Sequence, residues 1–175
     1  MDEKTHYIKQ YPALTHLNSK QLRIRHLFVD SNNQLWLSTY GTEGLICLKR
    51  EGNTFTTTTF NEENGTMGGR FRSVIELKDH TILAASSTGL TFIKNGTVVA
   101  TIGEDNGLSS PQILSLLEMP DGRILAGSDG SGVFVIKDYS IVDKIDEADG
   151  LNSLVILRIV SCSDGYLYVT SSGIY

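Results

Sequence analysis

The stretch Ile24-Arg-His-Leu-Phe-Val-Asp-Ser-Asn-Asn-Gln-Leu-Trp36 recurs three times in altered form. The copies are Phe71-Arg-Ser-Val-Ile-Glu-Leu-Lys-Asp-His-Thr-Ile-Leu83, Ile113-Leu-Ser-Leu-Leu-Glu-Met-Pro-Asp-Gly-Arg-Ile-Leu125 and Ile156-Leu-Arg-Ile-Val-Ser-Cys-Ser-Asp-Gly-Tyr-Leu-Tyr168. They begin 47, 42 and 43 residues apart. A second landmark, Asn64-Gly65-Thr66, Asn106-Gly107-Leu108 and Asp149-Gly150-Leu151, keeps the same interval. So does a third, a glycine before an apolar residue at Gly44-Leu45, Gly89-Leu90, Gly132-Val133 and Gly173-Ile174. Three landmarks holding one period identify tandem structural units.

Within each unit, apolar segments of strand length alternate with Gly, Asn, Asp and Ser clusters that favour turns. The third unit reads as strands at Ile113–Glu118, Arg123–Gly127, Val133–Lys137 and Ser140–Ile145. Asp121-Gly122 predicts a two-residue hairpin turn between the first two, and Asp164-Gly165 repeats it. Asn32-Asn33 and Asp79-His80 stand in the same place and tolerate left-handed backbone. Nowhere does a 3.6-residue apolar period persist, so the chain is all-β. Four short strands per period of roughly 43 residues are the blade signature of a β-propeller. A solenoid uses a shorter period, and a two-sheet sandwich needs no such repeat.

Blade 1 is expected over 24–70, blade 2 over 71–112, blade 3 over 113–155 and a partial blade 4 over 156–175, after an N-terminal segment at 1–23. This is a propeller arc of about three and a half four-stranded blades, fewer than normally close a ring. It is expected to be a fragment of a larger ring or to close by dimerisation through its open, apolar blade faces. Two such arcs would make seven blades.

Composition narrows the function. The 175 residues carry a formal net charge of −5 with no basic run, which argues against a nucleic-acid partner. No apolar run is long enough to span a membrane, so no membrane contact is expected of this segment. The opening Met1-Asp2-Glu3-Lys4-Thr5-His6 is polar and is not a signal peptide. Cys47 and Cys162 read as small buried hydrophobes. His6, His16, His26 and His80 lack metal-ligand spacing, and no cofactor is expected. Glu62-Glu63, Glu104-Asp105 and Glu147 recur in equivalent loops, which marks turn chemistry and solubility rather than a catalytic pair. No nucleophile elbow or phosphate loop is present, and Gly127-Ser-Asp-Gly-Ser-Gly132 reads as a strand connection.

Labelling the strands A to D from centre to rim, the B–C and D–A connections emerge on one face, where residues act without disturbing the blades. The longest B–C loop presents Tyr40, Thr42 and Glu43, groups suited to stacking on and hydrogen-bonding a sugar-like ligand. Arg70 and Arg72 start the second unit near the same face, and Asp129 and Asn152 come from later loops. Arg158 interrupts an apolar inner strand, so it either lines the central channel or pairs with a carboxylate. Trp36 reads as core.

Phe28-Val29-Asp30-Ser-Asn-Asn-Gln-Leu35-Trp36-Leu37-Ser38-Thr39-Tyr-Gly41, followed by Gly44-Leu45, resembles the repeat of two-component regulator propellers. Gly107-Leu108-Ser109-Ser110-Pro111-Gln112-Ile113 is similar to that family's inter-blade connection. The departures are Ala-Ala-Ser and Ala-Gly-Ser in units two and three, and Leu83, Leu125 and Tyr168 in place of Trp36. The resemblance implies a non-catalytic, ligand-sensing module in the periplasm or outside the cell. In that family such modules precede a membrane span and a histidine kinase or diguanylate cyclase output. Its ligand would be a small molecule or carbohydrate. Two alternatives stay open: an enzyme like the propeller lyases of streptogramin-type antibiotics, whose repeats share a similar Asp…Leu-Trp core, and a protein-interaction platform with no small ligand.

Overall fold

A computed structural model describes residues 22–175. Strands β1 (Ile24–Val29), β2 (Leu35–Thr39), β3 (Leu45–Glu51) and β4 (Thr54–Phe60) form the first antiparallel sheet, in that order. Strands β5 (Phe71–Glu76), β6 (Ile82–Ser86), β7 (Leu90–Lys94) and β8 (Thr97–Ile102) form the second. The third holds β9 (Ile113–Glu118), β10 (Ile124–Ser128), β11 (Val133–Lys137) and β12 (Ser140–Ile145), and β13 (Ile156–Cys162) pairs with β14 (Gly165–Thr170). Sheets stack through their first strands, β1 on β5, β5 on β9 and β9 on β13. The architecture is a propeller arc.

Strand β6 explains why the inner strands lack the usual half-buried alternation. Leu83 and Ala85 pack into the core shared with blade 3, beside Ile113 and Phe134. Ile82 and Ala84 pack the opposite way, beside Trp36 and Leu45 of blade 1. Each blade face is thus the wall of an inter-blade core, and all five residues of β6 and of β10 are buried. Burying one such Leu or Ile side chain stabilises by roughly 1.5–3 kcal/mol. Among the described residues no further sheet lies beyond β13 and β14, and there Leu167 stays exposed, as does Ile174 nearby.

The sequence landmarks have local causes. Asn64, Asn106 and Asp149 each end a short 3-10 turn and accept the backbone N–H three residues back, at 2.8, 2.9 and 3.0 Å. The next residue, Gly65, Gly107 or Gly150, takes left-handed backbone (φ 88°, 90° and 102°) and closes the turn. The residue after it, Thr66, Leu108 or Leu151, is then buried.

The A–B turns differ from expectation. In blade 3 the Gly122 N–H donates to Met119 O at 3.0 Å and Met119 N–H to Arg123 O at 2.7 Å. The loop therefore has three residues rather than two, with Gly122 in the left-handed position. Asn33 (φ 58°) and His80 (φ 64°) hold that position in blades 1 and 2. Blade 4 has a two-residue loop, but it is Ser163-Asp164, one residue earlier than expected, because Cys162 pairs with Gly165 and Gly165 opens β14. Cys162 is exposed at this hairpin tip, contrary to its sequence reading, whereas Cys47 is buried. Burial, aided by the nearby Asp30 charge, pushes the Cys47 thiol up to about 12.

These turns also join the blades. Ser31 N–H donates to Glu76 Oε2 at 2.7 Å and Ser31 Oγ to Glu76 Oε1 at 2.6 Å. One blade later, Lys78 N–H donates to Glu118 Oε2 at 2.8 Å. At the third joint the equivalent positions are Pro120, which has no N–H, and Ser161, which has no carboxylate, so donor and acceptor vanish together. Burial acts to raise the Glu76 pKa, but the hydrogen bonds from Ser31 and the contact with His80 outweigh it, and the net shift is downward. A carboxylate with a lowered folded pKa stabilises above its ordinary range and loses that contribution as acid protonates it. Glu76→Gln is expected to cost ~1 kcal/mol at neutral pH. Urea midpoints of the two proteins should converge as pH falls below the ordinary carboxylate range. A gap that persists in acid would show that the charge plays no part.

Candidate functional site: the loop face and central channel

Each A strand is tied to the loop face in the same way. The carbonyls of Arg23, Arg70, Gln112 and Val155 accept N–H groups from Tyr40, Ser87, Asp129 and Ser171, at 2.8, 3.1, 2.9 and 3.2 Å. The preceding B-strand residue carries a hydroxyl in every blade. Thr39, Ser86, Ser128 and Thr170 donate it to the carbonyls of Gly44, Gly89, Gly132 and Gly173, at 2.6, 3.1, 2.9 and 3.1 Å. Loop geometry on this face is therefore set largely by buried contacts to the backbone.

Between blades 1 and 2 these loops enclose a cleft of about 450 Å³. Tyr40, Thr42, Asn61, Glu63 and Arg70 line it. Tyr40 bridges to Arg70 through the backbone. Its ring lies 4.4 Å from the Arg25 guanidinium carbon and 5.2 Å from that of Arg70. Both contacts are within cation–π range and hold the ring in place.

A second cavity, about 530 Å³, lies where the four A strands face one another. Every A strand carries a β-bulge at one position. The register skips between Ile24 and His26, Phe71 and Ser73, Ile113 and Ser115, and Ile156 and Arg158. The extra residues are Arg25, Arg72, Leu114 and Leu157, and together they line a mouth of about 300 Å³. A bulge re-aims a side chain, and here it points four equivalent residues at one space. Deeper in, Ser115 Oγ accepts the Ile159 N–H at 3.0 Å. His26 Nδ1 and Arg72 Nε are buried without a hydrogen-bond partner. Burial, with the positive charge of Arg158 adding to it, holds the His26 imidazole below its usual range.

The structure divides the eight residues singled out in the sequence. Tyr40, Thr42 and Arg70 meet in the cleft. Arg72 and Arg158 line the channel, which resolves the two readings of Arg158 in favour of the channel wall. Glu43 folds back toward Gly41 in its own loop. Asp129 is engaged by the Gln112 side-chain amide, and Asn152 is exposed outside both cavities. Sequence reading missed Arg23, Arg25, His26 and Asn61. The available signal was Arg23-Ile24-Arg25 against Arg70-Phe71-Arg72, the same triplet one repeat apart. Trp36 is core: its ring packs on Phe60 with centroids 5.6 Å apart.

Ser31, His80 and Glu76 cluster on the opposite face in a grouping that superficially resembles a nucleophile relay. Ser31 Oγ donates directly to Glu76, and the single His80 Nδ1 contacts both groups, at 3.1 and 2.9 Å. A relay needs the imidazole between hydroxyl and acid, using both ring nitrogens. Among the described residues no cluster of three metal-ligating side chains forms, and no helix is long and apolar enough to cross a membrane.

Strand order, inter-blade cores and the concave centre define a β-propeller module. Residues 18–41, a stretch that includes β1 and β2, match the family model of the two component regulator propeller. No curated protein matches the chain by sequence. Two solved extracellular domains of hybrid two component systems from B. thetaiotaomicron share the fold. One is 21% identical with a TM-score of 0.67 over 87% of this chain and 21% of its own. The other is 16% identical with a TM-score of 0.68 over 87% of this chain and 23% of its own. Virginiamycin B lyase from Staphylococcus aureus is 14% identical with a TM-score of 0.67, over 88% of this chain and 55% of its own. The chain thus spans about a fifth of the two-component domains and about half of the lyase.

Proposed function

We propose that this chain is the ligand-sensing propeller of a bacterial signal-transduction protein, placed in the periplasm or outside the cell and non-catalytic itself. The rim cleft carries the reading: a fixed aromatic ring beside Thr42, Asn61 and Glu63. An aromatic face suits the apolar side of a sugar ring, and the surrounding donors and acceptors suit its hydroxyls. The repeat match at residues 18–41 and the shared fold of two-component extracellular domains support the signalling role. The Ser31–Glu76–His80 geometry supports a structural rather than catalytic use of those side chains. In a sensor of this kind the response belongs to an output module, a histidine kinase or diguanylate cyclase, driven by unequal binding to two states.

Thermal unfolding against a panel of neutral mono- and disaccharides tests the reading on wild type and on Thr42→Arg. That substitution fills the cleft from an exposed loop position. At least one sugar should raise the wild-type Tm by roughly 2–4 °C when well above its dissociation constant. Thr42→Arg should keep its unliganded Tm and lose the response. A panel that shifts nothing, or a variant that responds in full, would sink the proposal.

A further inference from the structure

The cavity enclosed by the four A strands has an unusual charge balance. Arg25, His26, Arg72 and Arg158 line it, and no carboxylate does. The chain as a whole has 20 acidic residues against 15 Lys and Arg, so this is not its average surface. Among the described residues, none of these arginines has an ion pair. The β-bulges that present Arg25 and Arg72 occur in every blade, so the backbone device is general and the arginines are specific to blades 1 and 2.

We infer that the central channel binds an oxyanion group, a carboxylate, sulfate or phosphate, between Arg25, Arg72 and Arg158. The inference goes beyond the rim cleft and stands whatever that cleft accepts. Three guanidinium groups facing one cavity repel one another, and an anion turns that repulsion into attraction. Their planar forks match the two-oxygen edge of an oxyanion better than a spherical halide. Arg25 is pre-positioned by the Tyr40 ring at 4.4 Å, so less side-chain entropy is lost on binding. Arg72 Nε is a buried donor with no partner in the protein, and buried donors without partners are uncommon. Leu114 and Leu157, at the equivalent bulges of blades 3 and 4, make the far side of the mouth apolar.

Inorganic phosphate is the first probe, titrated at constant ionic strength against sodium chloride while the Tm is followed. Glucuronate against glucose is the second, since it separates an anionic group carried on a sugar from a free ion. Wild type should show a saturable rise with phosphate, glucuronate or both, and none with matched chloride. Arg72→Gln and Arg158→Gln should each weaken the response about tenfold, a loss of ~1.4 kcal/mol per group. Without anion their Tm should equal or exceed that of wild type, because repulsion is relieved, whereas a merely structural arginine would lower it. Lys137→Gln, an exposed charge on β11, should respond as wild type does. Thr42→Arg should keep the phosphate response even when the cleft is blocked, so failure of the cleft reading and of this one remain separate. Equal responses to phosphate and chloride, or undiminished binding by both arginine variants, would overturn the inference. So would glucose matching glucuronate with no effect of phosphate.

Discussion

Alanine at Gly132 should cost about 3 kcal/mol or more, whereas alanine at Gly96 should cost about 1 kcal/mol. The two glycines have nearly the same backbone, φ 77° and φ 74°, so the conformational penalty for an L side chain is common to both. The space around them differs. A methyl group at Gly96 meets nothing within 4 Å, while at Gly132 it would overlap the carbonyl oxygen of Ile145 at the end of β12. Backbone cannot swing aside as a side chain can, and the Gly132 carbonyl also receives the buried Ser128 hydroxyl at 2.9 Å. Relief of the overlap therefore disturbs the B–C loop and the strand end together. Gly44 and Gly89 stand in the same relation to the carbonyls of Phe60 and Ile102, which is why glycine recurs there in blades 1 to 3. Urea unfolding of the two variants at one pH gives the comparison directly. Equal losses would mean that the repeat glycine is kept for its backbone angle alone.

That glycine was visible in the sequence because the constraint it meets admits one residue type. The same holds for the turn-closing Asn-Gly pairs and for the apolar strand cores, and these carried the propeller reading. The buried hydroxyl at Thr39, Ser86, Ser128 and Thr170 was equally regular but hidden by its neighbour. Ala85 and Gly127 looked like departures from a family pattern, yet the hydroxyl residue after each is retained. The departure falls where the next blade needs room: a Cβ on Gly127 would come within 2.6 Å of the Ile156 side chain. Bulges left no mark at all. Their extra residues are two arginines and two leucines, because the bulge dictates direction and leaves chemistry free. Nor could a chain of letters place Tyr40 beside Arg25 and Arg70, since one contact joins neighbouring strands and the other reaches the start of the next blade. Function sits where the fold constrains residue type least, and so it was the part least legible.

Asp30→Ala should destabilise the protein by about 3 kcal/mol, and part of that loss should disappear when Trp36 is already phenylalanine. Asp30 is 6% exposed. One oxygen accepts the N–H groups of Asn32 and Gln34, each at 2.9 Å, and shapes the A–B turn. The other accepts the Trp36 indole N–H at 2.8 Å. Truncation strands all three donors, and the indole is the costliest, because it is sealed in the core shared with Phe60 and Phe71. Blades 2 and 3 have Leu77 and Met119 at the Asp30 position, and Leu83 and Leu125 at the Trp36 position. Acid and indole are therefore lost together, as expected of a pair in which neither is tolerable alone. Trp36→Phe removes the donor while keeping an aromatic ring, so the double variant should fall short of the summed single losses by at least about 1 kcal/mol. As the only tryptophan, Trp36 also reports its own state, and Asp30→Ala should shift its emission toward the red before global unfolding. Strict additivity with unchanged emission would reduce Asp30 to a turn former and leave the buried indole without an explanation for its place in blade 1.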